Sequence, residues 1–290
     1  MLFTAACAVV GLVIGSFLNV VIHRLPVMLE RQWRADCAQF VAGVDAARTL
    51  PTEPFNLVVP RSSCPACKAR ITAWQNVPLL SYLLLKGRCA SCRAAISVRY
   101  PIVEALTALL SAAVAWKFGF GFATLAGLLL TWGLIALAFI DLDTQYLPDS
   151  LTLPLLWLGL FLSLCGAAAP SAALPVDLRS SVIGAIAGYL SLWSVYHLFR
   201  LATGKEGMGY GDFKLLAALG AWLGWQMLLP IVLSAAAVGA VVGILMLKIQ
   251  GRDRATPVAF GPYLAASGWL MLMLGHEIVH RYMGFFAERA

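Results

Sequence analysis

Residues 122–140, FATLAGLLLTWGLIALAFI, decide the fold class of this chain. This stretch contains no charged side chain, and roughly 20 apolar residues are enough for one α-helix to cross a bilayer. Across the 290 residues, 61% are hydrophobic, 12% are charged and the mean hydropathy is +0.83, whereas soluble domains carry about 25% charged residues. The composition excludes an ordinary soluble protein and predicts that lipid surrounds most of the chain.

Similar apolar runs lie on both sides of this stretch and predict an all-α polytopic membrane protein with about eight transmembrane helices. The runs cover residues 2–22, 101–118, 122–140, 150–168, 181–200, 213–228, 229–247 and 260–278. The sixth and seventh are the least distinct, because only Gly224, Trp225 and Gln226 separate them. We therefore divide the chain into a first transmembrane helix (1–22), a polar loop (23–100) and a transmembrane bundle (101–290).

The polar loop carries the net charge of the chain. It contains 11 Lys and Arg against 4 Asp and Glu, a net +7, which equals the net charge of the whole sequence. Basic residues near the ends of spans stay in the cytoplasm, so we expect the loop to be cytoplasmic and both termini to lie on the opposite side. Under this topology the third run ends, and the sixth begins, at the cytoplasmic face.

Two CxxC pairs lie in the polar loop, and their spacing is typical of a metal site. We predict one structural zinc ion, because each pair can bring two thiolates to one ion and four thiolates complete a tetrahedral site. Disulfides are the alternative, but they are rare in the reducing cytoplasm. The predicted ligands are Cys64, Cys67, Cys89 and Cys92. We interpret Cys7, Cys37 and Cys165 as apolar fillers.

Carboxylates at the ends of transmembrane helices are costly, so they indicate function. Asp141 follows the third run and Asp212 precedes the sixth, so the topology places both at the same membrane depth. Two carboxyl groups that are close together and shielded from water share a proton, as in aspartic proteases. We predict that Asp141 and Asp212 form a catalytic pair. Alternatively, Asp212 caps the sixth helix; we interpret Asp149 as an N-cap and Asp143 as solvated or supporting.

Five segments of the chain carry the motifs of one known family, in that family's order. They are residues 15–26 (GSFLNVVIHRLP), the tetracysteine loop, residues 99–104 (RYPIVE), residues 139–149 (FIDLDTQYLPD) and residues 207–224 (GMGYGDFKLLAALGAWLG). On these motifs the chain resembles the type IV prepilin peptidases, which are leader peptidase/N-methyltransferases of the GxGD aspartic membrane protease class. By the family's motif spacing, the resemblance assigns the catalytic roles to Asp141 and Asp212.

The resemblance also implies an activity and partners. Enzymes of this family cleave the basic leader from type IV prepilins and pseudopilins after a glycine, at the cytoplasmic face of the inner membrane. They then N-methylate the new terminal residue, usually phenylalanine, with S-adenosylmethionine as methyl donor. We therefore expect an enzyme of type IV pilus assembly or type II secretion whose partners are pilin-like substrates and membrane lipid, and not nucleic acid.

Residues that bind the methyl donor stay unassigned, because the sequence contains no glycine-rich strand–turn–helix signature. Gly87 and Arg88 are candidates only through their place in the cytoplasmic loop. Three other hypotheses are open: a peptidase that does not methylate, a zinc-loop scaffold without catalysis, and a transporter with carboxylate proton relays. The transporter is disfavoured because such groups usually lie near the membrane midplane.

Overall fold

A computed structural model describes residues 1–42, 54–72, 74–168, 176–250 and 259–287 of the protein. In these ranges the regular structure is helical, apart from two isolated β-bridges, Ser63 with Arg70 and Arg88 with Ala95. The α-helices are α1 (Leu2–Ala42), α2 (Leu80–Leu84), α3 (Arg99–Phe118), α4 (Phe122–Thr144), α5 (Asp149–Ala168), α6 (Leu178–Thr203), α7 (Tyr210–Leu223), α8 (Leu228–Gln250) and α9 (Gly261–Ala287). Single 3₁₀ turns lie at Trp74–Asn76 and Trp225–Met227.

The predicted all-α polytopic membrane fold is confirmed. Within the described residues, six helices are long and apolar enough to span a membrane, and these are α1, α3, α4, α5, α6 and the segment Trp225–Met246. The predicted spans at 213–228 and 260–278 correspond to α7 and α9, which are outside that set. Helix α7 has only 14 residues, or about 21 Å at 1.5 Å per residue. It ends at Leu223, and the next residue, Gly224, has a φ of 84°, which favours glycine.

Helix α1 is longer than the predicted first span, which ends at residue 22. The helix continues through Pro26 to Ala42, because the charges that end an apolar run do not end a helix. Glu30 and Arg34 form an i,i+4 ion pair of 2.6 Å in this extension, an arrangement that supports a solvent-exposed helix.

The described residues form two compact units, Met1–Ala113 and Val114–Ala290. In the first unit, α1 packs closely on α3 through small residues. A Cβ at Gly11 would lie 2.8 Å from the Cα of Ala108, and one at Gly15 would lie 2.8 Å from the Cα of Glu104. Small residues permit this close approach between helices in lipid, which explains the glycine that opens the GSFLN motif.

Later residues of the same motif, at 15–26, make hydrogen bonds to the polar loop. Asn19 donates from Nδ2 to the carbonyl of Tyr100 at 3.1 Å, which ties α1 to the start of α3. Arg24 donates to the carbonyls of Asn56 (2.9 Å) and Pro60 (2.6 Å). Both side chains are buried, and buried polar groups of this kind fix one arrangement because leaving them unpaired is costly.

In the second unit, the short helix α7 lies at the centre and packs against α5, α6 and α9. Its buried side chains include Phe213, Leu216, Leu219 and Trp222, and the indole N–H of Trp222 donates to the carbonyl of Leu155 at 2.7 Å. Helix α7 is therefore apolar on nearly all sides because protein, rather than lipid, surrounds it.

The tightest approach in this unit is between α6 and α7, where the backbones of Gly184 and Gly220 contact each other. A Cβ at either glycine would collide with the carbonyl of the other. We expect Gly184→Ala to lower the free energy of unfolding by roughly 1–3 kcal/mol, the usual cost of overpacking. Thermal unfolding in detergent measures this. The matched control is Gly243→Ala in α8, where a Cβ meets nothing within 4 Å; equal midpoints for the two variants would contradict the assignment.

Candidate active site and metal centre

Asp141 lies in the last turn of α4 and is buried. Its Oδ2 accepts a hydrogen bond of 3.0 Å from the backbone N–H of Gly261, the first residue of α9. A Cβ at position 261 would lie only 2.7 Å from that oxygen. The end of α4 and the start of α9 thus position the Asp141 carboxylate together, and glycine at 261 permits the contact.

Asp212 is the third residue of α7 and is also buried. Gly209 occupies the N-cap position, so Asp212 is not the N-cap residue. Among the buried side-chain oxygens and nitrogens that the structure describes, Oδ1 of Asp212 is without a hydrogen-bond partner. An unsatisfied buried oxygen costs free energy, so a purely capping role does not account for this carboxyl group.

The two aspartates line one cavity of about 350 Å³, although 71 positions separate them in sequence. The rest of the lining comes from the segment after α4 and the first residue of α5, from the segment before α7 and its first turns, and from the two residues before α9. The structure therefore brings together the two carboxyl groups that the sequence places at the same depth. Asp143, by contrast, is exposed and is not among the lining residues.

Gly211, directly before Asp212, lies where the LPD and GYGD motifs contact each other. A Cβ at Gly211 would lie 2.6 Å from the Cβ of Leu147, so the LPD segment after α4 packs directly on the GYGD turn. Gly209 has a φ of −81°, which any residue can adopt. The close contact at Gly211, rather than an unusual backbone angle at Gly209, is what requires glycine in this turn.

The four predicted metal ligands also lie together. The Sγ atoms of Cys64, Cys67, Cys89 and Cys92 all lie within 4.8 Å of one another, and those of Cys64 and Cys92 are 3.8 Å apart. A tetrahedral site with Zn–S bonds of about 2.3 Å requires sulfur separations of about 3.8 Å, so the cluster fits zinc. All four cysteines are free thiols, which does not favour the disulfide alternative.

The two CxxC turns have the same backbone geometry. In the first turn, the backbone carbonyl of Cys64 accepts from the N–H of Lys68, and the N–H of Cys64 donates to the carbonyl of Ala69. In the second turn, Cys89 makes the same two bonds with Arg93 and Ala94. All four distances are 2.8–3.0 Å. Lys68 and Arg93 both have φ near 60°. Backbone N–H groups of Cys67 and Ala66 lower the pKa of Cys64 to about 6, which favours the thiolate that binds metal.

Comparison with known proteins places both sites in known domains. Residues 9–118 match the bacterial peptidase A24 N-terminal domain, and residues 128–244 match the type IV leader peptidase family. The chain is 52% identical over 287 residues to a prepilin leader peptidase/N-methyltransferase of Stutzerimonas stutzeri, covering 98% of this chain and 94% of that protein. The chain belongs to the type IV leader peptidase family.

Other members of the family have identities close to this value. A prepilin leader peptidase/N-methyltransferase of Aeromonas salmonicida is 56% identical over 94% of this chain and 91% of its own length. One of Neisseria gonorrhoeae is 51% identical over 93% and 90%. No solved structure matches the chain. The cysteine cluster lies within the matched A24 N-terminal domain, and both buried aspartates lie within the matched leader peptidase region.

The sequence-based interpretation of Asp149 as a cap misses its main contact. Lys214 in α7 donates from Nζ to both carboxylate oxygens of Asp149, at 2.6 and 2.7 Å. The pair lines the cavity beside the two buried aspartates and ties the start of α5 to the first turns of α7. The sequence offers one signal for this contact, since the predicted topology places both residues at the same membrane face. The two residues are, however, 65 positions apart.

We expect the Asp149–Lys214 pair to contribute roughly 0.5–1 kcal/mol to stability, because both side chains are partly exposed. Asparagine caps a helix as well as aspartate does, so Asp149→Asn tests the ion pair and not the cap. We expect Asp149→Asn to lower the thermal midpoint in wild-type protein and to have little effect in Lys214→Met protein. An equal loss in both backgrounds would mean that the pair contributes nothing.

We expect the purified protein to hold one zinc ion per chain. Chelation or Cys64→Ser should release it and expose the cysteine loop to protease, because metal binding supplies roughly 10 kcal/mol of folding free energy to small sites of this kind. Metal analysis and limited proteolysis measure both effects. Cys165→Ser is the control that retains zinc, since Cys165 lies outside the cluster. A zinc-free wild-type protein with an equally resistant loop would contradict the assignment.

Proposed function

We propose that the chain removes the basic leader from type IV prepilins and pseudopilins after glycine and then methylates the new terminal amine. Asp141 and Asp212 are the catalytic pair, and the reaction takes place at the cytoplasmic face of the inner membrane. The juxtaposition of two buried carboxyl groups in one polar cavity is the observation that carries this proposal. Membership of the leader peptidase family supports the substrate and both reactions.

The surroundings of the pair support a division of roles. The N–H that Gly261 donates to Asp141 stabilises the ionised form of that carboxyl group. Asp212 has a buried oxygen without a donor, so the neutral acid is the form that its surroundings favour. In the resting pair, one proton is thus shared and lies mainly on Asp212.

Cleavage then needs only these carboxyl groups and water. Asp141 takes a proton from water as the water oxygen bonds to the scissile carbonyl carbon, and Asp212 gives its proton to the carbonyl oxygen. The tetrahedral intermediate collapses as its carbon–nitrogen bond breaks. The departing amine receives the proton that Asp141 holds, while a hydroxyl proton of the intermediate returns to Asp212. Atoms and charges balance, and the pair is ready for another cycle.

The proposal also includes a structural metal ion and a membrane location. Cys64, Cys67, Cys89 and Cys92 would hold one zinc ion that keeps the cysteine loop folded, and four protein ligands would leave no open position for chemistry. The excess of basic residues between 23 and 100 supports a cytoplasmic loop, and the exposed apolar surface of the spans supports contact with membrane lipid.

S-adenosylmethionine is the proposed methyl donor, and its binding residues are not assigned. Gly87 is explained by the fold of the loop: it has a φ of 67°, and a Cβ there would lie 2.8 Å from Oη of Tyr82. Arg88 takes part in the β-bridge with Ala95. These contacts give no independent reason to place the donor at either residue, so we derive no step of methyl transfer from them.

The transporter hypothesis is not favoured, because Asp141 and Asp212 lie at helix ends rather than in the middle of spans. The decisive test of the proposed function uses the purified chain in lipid vesicles, a prepilin and S-adenosylmethionine. Mass spectrometry of the product should show loss of the leader and then addition of one methyl group at the new N-terminus. A cleaved but unmethylated product would show that the chain is a peptidase that does not methylate. An intact prepilin would contradict the whole proposal.

A further inference from the structure

Helix α2 presents an apolar face that the first unit leaves uncovered. Leu80, Leu83 and Leu84 are 54%, 70% and 74% exposed. Their i, i+3, i+4 spacing places them on one side of the helix. On another side, Tyr82 lies against Gly87 and is half-buried. Three adjacent exposed leucines form an apolar stripe inside the most charged segment of the chain, and such a stripe indicates a contact surface.

A buried carboxylate fixes the depth of this helix relative to the membrane spans. Glu104 lies within α3, about 7.5 Å along the helix from Arg99. Its Oε2 accepts a hydrogen bond of 2.8 Å from the backbone N–H of Leu79, the residue immediately before α2. Leu79 has a φ of 56°, which is rare for leucine, and the bond holds it in that turn. Helix α2 therefore starts level with the second turn of a spanning helix.

The residues that follow α2 have the charge that a bilayer surface attracts. Lys86 and Arg88 are exposed and lie directly after the leucine face. Basic side chains beside a membrane contact anionic headgroups, each contributing to surface binding, and tyrosine is enriched at the same level. The apolar face followed by a basic pair thus matches the acyl chains and the headgroups of a bilayer surface.

We propose that α2 is an interfacial helix whose leucine face inserts into the lipid, with Lys86 and Arg88 at the phospholipid headgroups. Lipid is the occupant because the contact between Glu104 and Leu79 places the start of α2 at the level of a membrane span, and because two basic side chains directly follow the apolar face. The second CxxC turn begins at Cys89, five residues after Leu84, so this insertion also holds that half of the metal cluster against the membrane surface.

Photocrosslinking in vesicles of phosphatidylethanolamine and phosphatidylglycerol tests the proposal on the full zinc-loaded chain. A diazirine-bearing amino acid replaces Leu83 or Leu84, and zinc content confirms that the loop is folded. In the control, the diazirine-bearing amino acid replaces Phe40, which is also apolar and is 94% exposed. Phe40 lies about 27 Å along α1 beyond residue 22, where the predicted first span ends. We expect phospholipid adducts at positions 83 and 84 and water adducts at position 40.

Water adducts at positions 83 and 84 to the same extent as at position 40 would overturn the insertion. Crosslinks to a second copy of the chain or to a pilin would also overturn it, because protein would then cover the face. The masses of the adducts identify the headgroup. Phosphatidylglycerol should be enriched over its share of the vesicle, and the enrichment should disappear in Lys86→Gln/Arg88→Gln protein; an unchanged share would overturn the role of the two basic residues.

Discussion

Replacing either Asp141 or Asp212 by asparagine should reduce leader cleavage by about 10³-fold or more, with the protein still folded in the membrane. Asparagine keeps the size of the side chain but can neither take a proton from water nor give one to the carbonyl oxygen. Because the two carboxyl groups act as one proton-sharing unit, the double variant should be hardly worse than either single variant. Cleavage of a synthetic prepilin, followed by mass spectrometry, measures the loss.

Asp143→Asn is the matched control for the pair. Asp143 lies two residues after Asp141 on the same helix but is exposed and outside the cavity lining, so its replacement should leave cleavage within about threefold of wild type, as for most surface changes. A folded Asp141→Asn or Asp212→Asn protein that cleaves at a substantial rate would show that another residue carries the proton transfer.

The second large effect is a separation of the two activities. Methyl transfer needs a bound cationic donor and an unprotonated terminal amine, and neither requires a carboxyl pair that shares a proton. Asp212→Asn protein should therefore methylate a pilin that has already been cleaved at a rate close to wild type, while its cleavage of prepilin falls by about 10³-fold. Incorporation of a labelled methyl group into the pre-cleaved pilin measures the first activity.

Uncleaved prepilin is the control in this experiment, because its acceptor amine does not yet exist and it should take up no label. If Asp212→Asn protein is folded and binds the donor but transfers no methyl group to pre-cleaved pilin, then the two active sites overlap and the separation is wrong.

Those features that depend on local composition could be predicted from the sequence. The span around residues 122–140 needs only a long uncharged run, and the cysteine cluster needs only two CxxC turns close enough to meet. The prediction that Asp141 and Asp212 lie at one membrane depth comes from counting charges. Their arrangement around one cavity depends on how α4, α7 and α9 pack.

The other features of the structure depend on tertiary packing, which no local sequence pattern predicts. The ion pair of Asp149 with Lys214 joins residues 65 positions apart, and a lysine at a helix start is equally consistent with a side chain that reaches solvent. The length of α7 was mispredicted because apolar residues continue through Gly224 into the next helix, so hydropathy alone does not reveal the break. Likewise, the charges after Ile22 mark the end of a span but not the end of α1.

The short length of α7 has a consequence for how solvent enters the reaction. Each cleavage consumes one water molecule, and the hydrocarbon core of a bilayer offers almost none. At about 21 Å, α7 is about 9 Å shorter than a hydrocarbon core of roughly 30 Å. The cavity at its first turn is lined by Glu206, Lys214 and Asp149, so polar groups lie at the start of the helix. We expect the water that cleavage consumes to reach Asp212 through this polar recess.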